Sequence, residues 1–285
     1  MFKKYLLLSL VMALVLCFSA CTKEEGLFPD PNLESTIRDA VGKPEGAILL
    51  SDLEGLTSLQ ASEKGITDLR GLEYCINLTD LNLWDNRIRD ISPLASLTKL
   101  NHLNIGHNKI SDISPLTSLT GLVHISLQEN RIIDISPLAS LSNLKELWLY
   151  DNLIGDISSL ASLSNLTHVT LSENQLTDIS WLASLSELTV ISLGYNQISD
   201  ISPLDSLTKL TSLDLRKNEI TDISPLASLT NLTSLILGKN QITDISPLIN
   251  LARLEVISLE ENPLNTESTN VHIPQLEKKG INIHR

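Results

Sequence analysis

Asparagine recurs in this chain at a fixed interval of 22 residues, with no insertion or deletion between copies. The column is Asn86, Asn108, Asn130, Asn152, Asn174, Asn196, Asn218, Asn240 and Asn262. Each copy also keeps seven apolar positions in the same phase; in one copy they are Leu81, Leu83, Ile88, Ile91, Leu94, Leu97 and Leu100. One 22-residue turn cannot bury seven aliphatic side chains, whereas stacked turns share a single core. The period therefore predicts a solenoid.

Local structure within each copy follows from the same frame. The alternation at Leu81 and Leu83 predicts a short strand whose leucines point to one side. The asparagine stands where the chain bends out of the strand, so its amide can satisfy backbone groups that the bend leaves unpaired. We therefore expect the nine asparagines to form a structural ladder. The following "DISP", as in residues 90–93, predicts a turn in which Asp accepts backbone N–H groups. Ser159 and Trp181 replace the proline in two copies.

The two ends of the repeat array carry different signals, which predict caps. Asp30 and Pro31 mark a helix start and Gly42 a helix stop, so residues 30–55 are expected to form a helical N-terminal cap before repeats at 56–264, about ten turns. Residues 265–285 are expected to form a C-terminal cap: a short helix, a stop at Gly280 and a final strand at 281–283.

The start of the sequence reads as an export signal. Lys3 and Lys4 precede an apolar run over residues 5–18, which is shorter than the roughly 20 residues of a membrane span. The run ends in "FSAC", which resembles a bacterial lipobox. We therefore expect a lipoprotein signal peptide at 1–20, lipidation of Cys21 and a short tether at 21–29. The protein would then be anchored by lipid to the outer face of a bacterial membrane, in the cell envelope.

Net charge limits the kinds of partner the protein can bind, and the cysteine content limits disulfide formation. The formal net charge of −13 becomes −15 when Lys3 and Lys4 leave with the signal. Much of it belongs to the turn aspartates, so it reflects the scaffold, but it still argues against nucleic acid and against lying flat on an anionic membrane. Cys75 falls on an apolar phase of the repeat and is expected to be a buried thiol without a disulfide partner.

The frame N-x-I-x-D-I-S-P-L-x-x-L-x-x-L-x-L resembles the internalin-type leucine-rich repeats of bacterial surface proteins over residues 28–285. The resemblance implies an α/β solenoid, a rod with a parallel β-sheet on its concave face and 3₁₀ turns on its convex face. It also implies non-enzymatic binding of proteins or other surface ligands on the concave side. The sequence shows neither the immunoglobulin-like domain nor the cell-wall sorting signal of the best-known members, so the resemblance does not by itself specify adhesion or invasion.

Function in such a protein should lie at outward-facing positions that the frame leaves free. Large aromatic side chains on an exposed sheet are typical of binding hot spots, and neighbouring strands carry a column of histidines and a glutamate. The candidate ligand-binding residues are Trp84, His102, His124, Glu146, Trp148, Tyr150, His168, Tyr195 and Arg216. We expect them to recognise a protein or glycan ligand, in a monomer with no cofactor and no catalytic residues.

Two alternatives remain open from the sequence. His102, His124, Glu146 and His168 lie on adjacent strands, about 4.8 Å apart, so two or three of them could share one metal ion. A metal-dependent hydrolase would use His102, His124 and His168. No hydrolase motif accompanies them, and a solvated polar column is the simpler interpretation. The other alternative is an envelope scaffold with no soluble ligand.

Overall fold

The computed structural model describes residues 26–285; the signal, Cys21 and most of the tether lie outside this range. Within it, eleven strands form one parallel sheet in strict sequence order. They are Ser58–Gln60 (β1), Asp80–Asn82 (β2), His102–Asn104 (β3), His124–Ser126 (β4), Glu146–Trp148 (β5), His168–Thr170 (β6), Val190–Ser192 (β7), Ser212–Asp214 (β8), Ser234–Ile236 (β9), Val256–Ser258 (β10) and Asn282–His284 (β11).

The repeat period fixes the register of this sheet. Residues 22 apart are paired, as in Asp80 with His102 and His102 with His124. Because parallel strands need a crossover, each copy returns along the opposite side through a short 3₁₀ segment, for example Ser92–Ser96 and Ser114–Ser118. The predicted solenoid with 3₁₀ turns is confirmed.

The core lies between the sheet and the 3₁₀ segments. Leu81 and Leu83 are at most 1% exposed, and the other aliphatic positions of the frame are buried in the same continuous cluster. Cys75 lies in this core, and burial, more than the nearby charge of Glu73, raises its pKa to about 12. A thiol in that state is an apolar packing group, not a nucleophile.

Each asparagine joins two turns through its side chain. The Asn108 Oδ1 accepts the Ile88 N–H at 3.0 Å, and its Nδ2 donates to the carbonyl oxygens of Leu83 and Ile105, each at 3.1 Å. Leu83 and Ile88 belong to the preceding turn, so each amide ties its own bend to the one before it. Leu83 and Ile105 also accept from Asn86 and Asn130, so consecutive amides share each carbonyl. The buried Ile88 N–H has Asn108 as its acceptor and would be unpaired without it.

The return turns repeat a second set of side-chain bonds. The Asp90 carboxylate accepts the Ser92 N–H at 2.8 Å, and the other copies repeat this bond. Trp181 takes the proline position in one copy and is only 7% exposed, so it extends the core outward there. Its indole N–H has no hydrogen-bond partner, and nothing in the structure explains that loss.

Helices close the first end of the core. Helix α1 (Pro31–Val41) begins at Asp30, which accepts the N–H groups of Asn32 and Leu33, and it ends at Gly42, with φ of 67°. A second short helix, α2 (Leu50–Leu53), follows before β1.

The last repeat is closed by a different element. A helical turn at Ser268–His272 leads into α3 (Ile273–Lys278), whose Ile273 and Leu276 are buried. Strand β11 then pairs with β10 and begins one residue later than the sequence suggested, at Asn282. Within residues 26–285 no helix combines the length and apolar character needed to cross a membrane.

Candidate binding face

The solvent-facing side of the sheet is the concave face, and its ladder extends past the assigned strands. The His107 N–H donates to the Gln128 carbonyl at 2.8 Å, and the Asp85 N–H donates to the Gly106 carbonyl at 3.1 Å. Each repeat therefore presents three outward residues along the ladder, at the phases of Asp80, Asn82 and Trp84. A fourth residue, at the phase of Asp85, stands at the bend.

This fourth position has a backbone conformation that the sequence did not reveal. All ten of its residues have φ between 52° and 60°, the left-handed region: Glu63, Asp85, His107, Glu129, Asp151, Glu173, Tyr195, Lys217, Lys239 and Glu261. Non-glycine residues rarely adopt this conformation, since Cβ approaches a carbonyl oxygen. The bend thus places ten non-glycine side chains along one edge of the concave face, and we call these ten residues the left-handed column.

The histidine column comes together as a stack. The rings of His102 and His124 have centroids 4.6 Å apart and planes within 9° of parallel, and the His124 Nδ1 lies 3.1 Å from a Glu146 carboxylate oxygen. His168 lies two strands away from His124, on the far side of Glu146, and its Nδ1 is 2.9 Å from the Thr167 hydroxyl. Imidazole lone pairs lie in the ring plane, so parallel rings do not direct two nitrogens to one zinc ion at about 2.0–2.1 Å. Residues 26–285 contain no group of three or more side chains arranged to ligate a metal.

The stacked histidines form one wall of a depression of about 440 Å³, the first depression. Its lining residues are His102, Leu103, Asn104, His124, Ser126, Gln128 and Trp148. Trp148 is partly exposed and is the largest side chain of the lining, while Ser126 donates a hydrogen bond to Gln128. The site is open and has amide, hydroxyl and imidazole groups around an aromatic ring, which suits recognition of a side chain more than chemistry.

Trp84 and Tyr150 lie outside the lining of the first depression. Trp84 packs against His107, with ring centroids 5.6 Å apart. The Tyr150 hydroxyl donates to Glu129 at 2.9 Å, and burial, this bond and nearby carboxylates raise the pKa of Tyr150 to about 12. Both rings are partly buried against neighbours, so each presents less surface than an isolated aromatic would.

A second depression, of about 300 Å³, lies toward the C-terminal end of the same face. It is lined by Tyr195, Arg216, Ile236, Gly238, Lys239, Ser258, Glu260 and Glu261. Arg216 is held by Asp214, with Nε 2.9 Å from one carboxylate oxygen, and Lys239 lies 3.2 Å from Glu261. The Lys217 ammonium lies 4.7 Å from the centre of the Tyr195 ring, within the range of a cation–π contact.

Glycines shape both depressions. A Cβ on Gly106 would lie 2.8 Å from Gln128, and one on Gly238 would lie 2.9 Å from Glu260, so each glycine leaves a notch that the next repeat's side chain fills. The residues predicted from the sequence did not include the apolar Ile236 or the following polar lining residues: Asn104, Ser126, Gln128, Lys239, Ser258, Glu260 and Glu261. The sequence pattern that could have indicated these residues is a glycine followed 22 residues later by a long polar residue.

Comparison with known proteins agrees with this architecture. The family model "Leucine Rich repeats (2 copies)" matches residues 76–118, 120–162, 164–206, 186–228, 208–250 and 230–271. A crystal structure of an internalin, InlF of Listeria monocytogenes, is 34% identical and has a TM-score of 0.73. The alignment covers 90% of this chain and 89% of that one. The chain belongs to the internalin-type leucine-rich repeat family.

Two further internalins of Listeria monocytogenes are similar. The structure of internalin C2 is 39% identical, with a TM-score of 0.62, over 82% of this chain and 94% of that one. Internalin H is 39% identical over 59 residues, which is 20% of this chain and 11% of that curated relative. The match thus spans about a tenth of internalin H. Internalin-like proteins are typically non-enzymatic and bind protein partners.

Proposed function

We propose that this internalin-type protein is a surface-anchored, non-enzymatic binding module that recognises a protein ligand through its concave face. The observation that carries the proposal is the first depression, where Trp148 and the stacked pair His102 and His124 surround an open site lined with hydrogen-bonding groups. Aromatic side chains set among polar groups at an open surface are typical of protein-recognition hot spots.

The size of the face supports a protein ligand. Eleven strands at about 4.8 Å spacing give a length of roughly 50 Å, and five ladder residues at about 3.3 Å give a width of roughly 17 Å. The product, roughly 800 Å², equals the surface that one partner buries in a standard protein interface. A short glycan would occupy one depression and leave most of this surface uncovered.

Photocrosslinking can test the face. A benzophenone amino acid in place of Tyr150 should give protein adducts on intact cells, and Trp148→Ala should reduce their yield. Tyr74, which is 45% exposed on the 3₁₀ segment Leu72–Tyr74, provides the matched control position on the opposite side. Equal adducts at both positions, or none at Tyr150, would contradict the proposal. Adducts that resist protease but not glycosidase would indicate a glycan instead.

The same experiment addresses the scaffold alternative. Added soluble protein should compete with the cell-bound protein for a ligand and reduce adduct formation, because both forms of the protein bind the ligand through the same face. A scaffold partner would stay crosslinked at a fixed position despite excess soluble protein. Metal analysis addresses the hydrolase alternative independently.

Surface anchoring is proposed from Cys21 and its "FSAC" context. Radiolabelled palmitate should enter the wild-type protein and should be absent from Cys21→Ser. Cys75→Ser is the matched control, because Cys75 is buried in the core and should not be a lipidation site. Equal labelling of wild type and Cys21→Ser would refute lipid anchoring without affecting the binding proposal.

A further inference from the structure

We propose that the second depression, with Tyr195 and Lys239 in its lining and Lys217 beside it over the Tyr195 ring, is a carboxylate-binding subsite that receives an acidic side chain of the protein partner. This inference rests on the proposed function, since it assigns a ligand chemistry to part of the same face. It differs in location, because the centre of the second depression lies near β9 and that of the first near β4.

The first argument is the placement of cations in an acidic protein. The net charge is −13, and the left-handed column carries Glu129, Asp151 and Glu173 in consecutive repeats. The column then changes to Tyr195, Lys217 and Lys239. A carboxylate approaching the face is therefore repelled along its first half and repelled least near the second depression, where Arg216, Lys217 and Lys239 balance Asp214, Glu260 and Glu261.

The second argument is that one of these cations lacks an anionic partner. Among residues 26–285 no carboxylate lies within ion-pair distance of the Lys217 ammonium, which instead lies over the Tyr195 ring. Lys239 is paired with Glu261, but the Glu261 side chain is 68% exposed and can turn toward solvent. The Lys217 ammonium is directed to the preceding repeat and the Lys239 ammonium to the following one, while their backbones lie on neighbouring repeats about 4.8 Å apart. A ligand carboxylate between them can thus contact Lys217 and replace Glu261 at Lys239 when the two flexible side chains turn toward it.

The third argument is the shape and lining beside the lysines. Gly194 and Gly238 flank Arg216 in the third outward column, and the space at Gly238 is taken by the Glu260 side chain, which accepts a hydrogen bond from Ser258. The Nε and Nη2 atoms of Arg216 contact the Asp214 carboxylate, so the Arg216 side chain is held in place at the edge of the depression.

Ile236 supplies an apolar surface in the same depression. An acidic residue next to an aliphatic one in the partner matches this combination. The carboxylate would contact the two lysines, and the aliphatic side chain would cover Ile236.

The proposal can be tested by NMR titration of the isotope-labelled full chain in detergent micelles. The probe is the peptide acetyl-Leu-Glu-Leu-Glu-amide, and its matched control is acetyl-Leu-Gln-Leu-Gln-amide. The acidic probe should shift the amide resonances of Gly194 and Gly238. The neutral peptide should bind up to about fivefold more weakly, since an exposed ion pair contributes up to about 1 kcal/mol.

Variants locate the subsite. Lys217→Gln combined with Lys239→Gln should weaken binding of the acidic probe by up to about fivefold. Lys109→Gln, which changes an exposed lysine after a different bend, should leave binding unchanged. Equal binding of the two peptides would overturn the subsite. Resonance shifts that are the same in wild type and in the Lys217→Gln, Lys239→Gln variant would also overturn it. Crosslinking at Tyr150 would be unaffected by that result, so failure of the subsite and failure of the proposed function are distinguishable.

Discussion

His102 and His124 lie ring against ring, 4.6 Å between centroids, across the β3–β4 pair. We predict that the purified protein contains well under one equivalent of zinc, because parallel imidazoles do not aim their lone pairs at a common point. Elemental analysis after dialysis against zinc measures this. A full equivalent of zinc that disappears in His124→Ala would show that the rings rearrange around a metal.

The asparagine ladder should dominate local stability. Asn130→Ala removes an acceptor for the Ile110 N–H and a donor to the Ile105 and Leu127 carbonyls, each bond 3.0 Å long. The Ile110 N–H is left unpaired, whereas Asn108 and Asn152 still donate to the Ile105 and Leu127 carbonyls. The free energy of unfolding should therefore fall by about 1 to 3 kcal/mol in urea titrations. Asn143→Ala, which removes one exposed side-chain bond, should cost about 1 kcal/mol or less. Similar losses in the two variants would mean that the ladder is not the main constraint.

The N-terminal cap should respond to pH through Asp30. Burial raises the pKa of this carboxyl, but hydrogen bonds from Thr67, Leu33 and Asn32 together outweigh it and hold the pKa below its ordinary value of 3.8. The ionised form therefore stabilises the fold above about pH 4, and this contribution is lost as pH falls through the lower folded-state pKa. Asp30→Asn should lose about 1 to 3 kcal/mol at pH 7 and much less near pH 2 in urea titrations.

A control for this effect lies on the same helix. Asp39→Asn changes an exposed carboxyl by the same chemical step and should have little effect at either pH. If Asp30→Asn and Asp39→Asn behave alike, the cap does not depend on the Asp30 charge.

Strain in the left-handed column should be measurable. Glu173 has φ of 57° and makes no side-chain hydrogen bond within the described part of the chain, so Glu173→Asn, which tolerates this conformation better, should stabilise the protein by about 0.5 to 1 kcal/mol. Gln175→Asn, two residues further along, should not stabilise it. Thermal unfolding of both variants compares them, and a less stable Glu173→Asn would argue against strain at the bend.

The sequence was sufficient to predict the scaffold because its signals are periodic. Leucine phase predicted which residues are buried, Asn108 and its equivalents lie where backbone groups need a partner, and Asp30 and Gly42 bound the first helix. The resemblance supplied the curvature and the 3₁₀ turns.

The binding face was only partly predictable, since it depends on side-chain placement between repeats. His102 and Trp148 were identified as outward-facing, but their common depression depends on how Gln128 fills the notch at Gly106. The left-handed bend was missed because Glu173 and Tyr195 give no sign of it; glycine or asparagine there would have.

Because the 22-residue period is unbroken, the strands of the concave face are evenly spaced, and distances along the face are multiples of the strand spacing. Five strand intervals separate the centres of the two depressions, which is about 24 Å. Because every turn closes in the same register, removing one whole repeat between them, such as residues 153–174, should shorten that distance by about 4.8 Å and leave both depressions and both caps intact. A two-point ligand matched to this protein would then no longer reach both points, which makes repeat number itself a determinant of specificity.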